Sequence, residues 1–99
     1  EVLLVWQANR VLGLDYRVVI EVRDTAGQIV ALTEEEPHGG AYPTSVWSNG
    51  EQVPATYLVD ISGVSPGDYE VYAGLAGPSG RLPALTGEGA VFIGRINIQ

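Results

Sequence analysis

The chain has 99 residues, a formal charge of −7 and no cysteine, methionine or lysine. One domain with one core is expected at this length, burying about two-thirds of the surface that the unfolded chain exposes. The missing cysteines exclude disulfides, thiolate metal sites and a cysteine nucleophile. Twelve carboxylates against five arginines disfavour phosphate backbones and anionic lipid surfaces, so no nucleic acid is expected as a partner.

A chain opening on Glu1 instead of methionine reads as an excised piece of a longer protein. No apolar run approaches the roughly 18 residues of a membrane span, so direct membrane insertion by this segment is not expected. Val2 to Trp6 is a short apolar run bounded by Gln7-Ala8-Asn9-Arg10. It suits a core strand and is too short for a stable helix. Val11 to Leu14 links it to the clearest periodic segment, Asp15 to Asp24, where Tyr16, Val18, Ile20 and Val22 alternate with Arg17, Val19, Glu21 and Arg23. Period two with β-branched residues predicts a half-buried strand. Asp24-Thr25-Ala26-Gly27 supplies a turn, with the Asp24 side chain in an Asx role, before Ile29 to Leu32 returns as the second arm of a hairpin.

Glu34 to Gly50 has loop composition, with Pro37, Gly39, Gly40, Pro43, Asn49 and Gly50. A strand is predicted over Thr56 to Ile61, a turn at Pro66-Gly67, and a strand over Tyr69 to Leu75. Gly77-Pro78-Ser79-Gly80 is a turn, Leu82 to Gly89 a loop, and Ala90 to Ile98 the closing strand. Short strands between glycine and proline turns predict an all-β, antiparallel sandwich of about seven strands. Tyr69 opens the penultimate strand two residues before an inward position held by Val71. That is where immunoglobulin-like folds place a tyrosine corner.

The order of motifs also resembles a β-sandwich module at the C-terminal, extracytoplasmic ends of bacterial multi-pass membrane glycosyltransferases and related uncharacterised proteins. The similarity runs through Trp6, Asp15-Tyr16, Asp24 to Gly27, Pro37-His38-Gly39-Gly40, Tyr42-Pro43-Thr44, Trp47, Gly50-Glu51 and Tyr57. It continues through Pro66-Gly67-Asp68-Tyr69, Gly74-Leu75 and Gly80-Arg81-Leu82-Pro83. The sequence departs from the module at Ala55-Thr56, where an acidic residue is usual, and at Ala76, where a tyrosine is usual. The resemblance implies that residues 1–99 form a single accessory domain in the C-terminal part of a membrane-anchored or secreted protein. It supplies no catalytic residue in this segment.

Three groups of residues bear on chemistry. Glu34, Glu36 and His38 form the one acid and imidazole cluster and are the candidate cation ligands, although successive strand carboxylates point to opposite faces and acidic runs are commonly solvated. Neither a phosphate-cradling loop nor a nucleophile elbow is present, so no enzyme activity and no cofactor are expected of this segment. Tyr42, Trp47 and Tyr72 are the candidate ligand-binding residues, because an aromatic face can stack on a sugar ring. Tyr72 has the outward phase of its strand. The expected function is that of a non-catalytic accessory domain contacting carbohydrate or an adjacent domain, with a structural or protein-interaction module as the alternative.

Overall fold

A computed structural model describes residues 2–7, 15–36, 40–48, 50–77, 80–81 and 89–99. The Val11 to Leu14 link, His38 and the stretch from Leu82 to Glu88 lie outside them. The described residues hold seven strands: β1 (Val2–Gln7), β2 (Arg17–Arg23), β3 (Ile29–Glu35), β4 (Gln52–Tyr57), β5 (Gly67–Gly77), β6 (Gly80–Arg81) and β7 (Val91–Ile98). No α-helix occurs among them. A three-residue 3-10 turn, Thr44–Val46, precedes β4.

The alternation that predicts β2 gives its inward row, but the strand is not half-buried as expected: Val19 and Glu21 on the other face are 1% and 3% exposed. Val18, Ile20 and Val22 are buried and face Ala55 and Tyr57 of β4 and Tyr69 and Val71 of β5. Each such aliphatic side chain contributes about 1.5–3 kcal/mol of transfer free energy. The Asp24 turn forms as expected, with its carboxylate accepting from the Ala26 and Gln28 amides, both at 2.9 Å. Gly27 has φ +83°, a conformation open to glycine.

Two sheets result. β1 and β4 pair antiparallel as a two-stranded sheet, in register Val2 with Tyr57 through Gln7 with Gln52. The larger sheet runs β3-β2-β5, and the long β5 carries β7 along Gly67–Ala73 and the short β6 at Ala76–Gly77. The protein is an all-β, antiparallel, sandwich-like fold. Tyr69 is tied at the start of β5 by its hydroxyl, which donates to the Ser65 carbonyl at 2.6 Å, and Val71 two residues on faces the core.

Two strands depart from the sequence reading in ways that their pairing explains. The strand expected over Thr56 to Ile61 runs instead over Gln52–Tyr57 and includes Pro54. Among the described residues β4 pairs with β1 alone, and proline's missing donor is tolerated in an edge strand. β3 also continues through Glu34 and Glu35, which had loop composition, because they pair with Val19 and Val18.

Candidate functional site

The three candidate aromatic residues do not form one surface. Trp47 is 2% exposed and packs with Val53. Its indole N–H donates to the Tyr42 carbonyl at 3.0 Å, so its ring offers no stacking platform. Tyr42 is half-buried against this pair, and its hydroxyl donates to Glu51. That bond raises the Tyr42 pKa and lowers that of Glu51, which also accepts from the Ser48 amide. The segment from Tyr42 to Glu51 is therefore bound to itself.

Tyr72 lies on the outer face of the large sheet and is also half-buried. The Arg23 guanidinium sits 4.0 Å from its ring centroid, and Phe92 meets it edge-on at 5.6 Å. The expectation of an exposed Tyr72 ring is corrected by this cover. Both contacts are favourable for an aromatic quadrupole. Arg23 also bonds Glu21, which is 3% exposed. Arg81 reaches the same carboxylate from β6 at 2.7 Å. Burial alone pushes the Glu21 carboxyl pKa up, but hydrogen bonds and charge from Arg81 and Arg23 outweigh it and hold it below the ordinary value. This cluster joins β2, β5, β6 and β7; its charged groups already satisfy one another.

Of the candidate cation ligands, Glu34 is bonded to Arg17 at 3.2 Å and Glu36 is exposed. His38 lies outside the described residues. Among the described residues no three of His, Asp and Glu are placed to hold a metal ion.

A different surface is left open, at the corner between β1 and β7. β4 and the chain after it close the sandwich against β3, where the Thr33 hydroxyl donates to the Leu58 carbonyl. On the other side, β1 lies across from Val71 and Ala73 of β5, and β7 continues one strand beyond it. On this side of β7, Ile98 packs against the core, whereas Val91, Ile93 and Ile96 are left 45%, 39% and 37% exposed. Two depressions of about 250 and 270 Å³ run along this corner and share Leu4 and Ile93. Leu3 and Val5 on the outward face of β1 are 65% and 61% exposed. The corner combines aliphatic side chains with a strand that, among the described residues, pairs only on its β4 side. The protein-interaction alternative implies an uncovered apolar patch or edge strand at the N-terminal strand, but the sequence does not single out its residues, because each of these strands reads as an ordinary core strand.

No family model, curated protein or solved structure matches this chain.

Proposed function

We propose that this chain is a non-catalytic accessory β-sandwich that acts as a protein-interaction module through the β1–β7 corner. The observation that carries the reading is the exposed row Val91, Ile93 and Ile96 beside an edge of β1 with which no described strand pairs. Contiguous exposed apolar surface next to unpaired main chain is the usual substrate of β-strand association. An immunoglobulin-like relationship belongs to the same proposal. It is supported by the order β3-β2-β5-β7 facing β1-β4 and by the Tyr69 tie at the start of β5. The setting implied by the sequence resemblance is the extracytoplasmic side of a membrane-embedded glycosyltransferase.

Carbohydrate contact has weaker support, since Trp47 is enclosed and Arg23 covers Tyr72. The test is a photoreactive amino acid placed singly at Val5, Ile93 or Thr25 in the natural gene and irradiated in its own cells. Protein adducts at positions 5 and 93 but not at 25, on the β2–β3 turn, are expected. Equal labelling at all three positions, or no adduct at 5 and 93, overturns the reading.

A further inference from the structure

This inference rests on the interaction-module reading and specifies the partner's chemistry. A strand placed beside β1 at the ordinary spacing of about 4.8 Å would lie over β7 at about the sheet-to-sheet distance of 10 Å. Its main chain would meet the open edge of β1, and alternate side chains would fall on Val91, Ile93 and Ile96. Six residues, the length of β1, span about 20 Å of such a strand.

The same offset decides between occupants. A second folded copy bringing its β1 edge alongside would also bring its own β7, which extends past β1 in the same way. With both large sheets on the same side of the joined edges, its β5 and β7 would fall in the space that β7 and β5 of this chain already occupy. A single extended segment has no such obstacle. Charge narrows it further: among the described residues no carboxylate lines either depression and Arg95 is the sole charged residue that does, while the whole chain carries −7. An apolar strand fits the corner, and cationic groups outside it are attracted by the surrounding field.

We propose that the β1–β7 corner accepts one extended segment of another polypeptide, hydrogen-bonded along β1, with aliphatic side chains at alternate positions and lysine or arginine at its flanks.

The probe is a synthetic peptide, acetyl-KKTVTVTVKK-amide, added to the full chain while amide hydrogen exchange is followed residue by residue. At about ten times its dissociation constant, the peptide is expected to slow the β1 amides that are not bonded to β4 about tenfold. A version with proline at the central threonine and valine is expected to give no protection. A glutamate-flanked version is expected to bind more weakly at low salt, with the difference shrinking at high salt. Ile93→Lys is expected to abolish protection with an unchanged circular dichroism spectrum, and Ile93→Ala to weaken it should the lysine variant unfold. Absence of β1 protection by the lysine-flanked peptide overturns the proposal, as does equal protection by the proline version. Photo-adducts from position 5 that join residues of the same polypeptide also overturn it. Adducts to another protein without β1 protection remove the strand proposal alone; loss of positional preference among 5, 93 and 25 removes the interaction-module reading itself.

Discussion

The Thr33 hydroxyl and the Leu58 carbonyl, 3.1 Å apart, connect β3 of the large sheet to the residue that follows β4 of the small one. The bond fastens one long side of the sandwich, opposite the corner where β7 runs past β1. Thr33→Val keeps the side-chain shape and removes the donor. It is expected to cost about 0.5–1 kcal/mol, the lower range for a hydrogen bond near solvent. Chemical denaturation gives the cost, and faster exchange of β4 amides relative to those of β2 would localise it.

Glu21→Gln should be more disruptive, since it leaves Arg23 and Arg81 without their shared carboxylate. The arginines left behind are 29% and 32% exposed and stay partly solvated, so the cost is expected at about 1–3 kcal/mol. The folded-state pKa of Glu21 is depressed, so its stabilisation is present above the unfolded pKa and fades as pH falls through the folded one. Thermal unfolding of the two proteins from neutral to acid pH is expected to show a gap that narrows on acidification. A gap that stays constant or widens would contradict the assignment.

Tyr69→Phe removes the donor to Ser65 while leaving the ring in the core. A loss of about 1 kcal/mol is expected. Tyr72→Phe is the comparison, because the Tyr72 hydroxyl reaches the half-buried Glu70 carboxylate by a longer bond of 3.2 Å, and its replacement should change the denaturation midpoint less.

Two glycines of β5 and β7 give opposite expectations. A Cβ at Gly74 would stand 2.3 Å from the Gly89 carbonyl oxygen, which is backbone and cannot rotate away. Gly74→Ala is expected to destabilise by about 1–3 kcal/mol, the range for overpacking. Gly94 has nothing within 4 Å of the same position and lacks a positive φ. Gly94→Ala is therefore expected to be neutral or to stabilise by about 0.5–1 kcal/mol through reduced freedom of the unfolded chain. Urea midpoints of both variants check the pair.

The inward row of β2 is legible in the sequence because alternation of Tyr16, Val18, Ile20 and Val22 is a local pattern with one structural solution. The hairpin at Asp24 is legible for the same reason, since the aspartate and Gly27 encode the turn themselves. β4 is harder to read: Pro54 breaks local strand propensity, and only its pairing with β1 on one side makes the strand permissible. The valine beside Trp47 in the chain already points to an enclosed ring, while its contact with Val53 and its bond to the Tyr42 carbonyl come from the fold. The Glu21 cluster unites residues 60 positions apart, beyond the reach of any periodic pattern. The open corner is more remote still, because it depends on the lateral offset of two sheets and not on any residue within either strand.

That offset has a consequence for self-association. Exposed strand edges commonly invite stacking of like upon like, the first step toward fibres. Here β7 runs on past β1, and a folded neighbour with its large sheet on the same side cannot lay its own β1 edge there without the two large sheets colliding. Solubility and receptivity then have one origin: the shelf that leaves room for a lone strand interrupts sheet-to-sheet propagation, so concentrated solutions of the folded chain should resist ordered aggregation until β7 detaches.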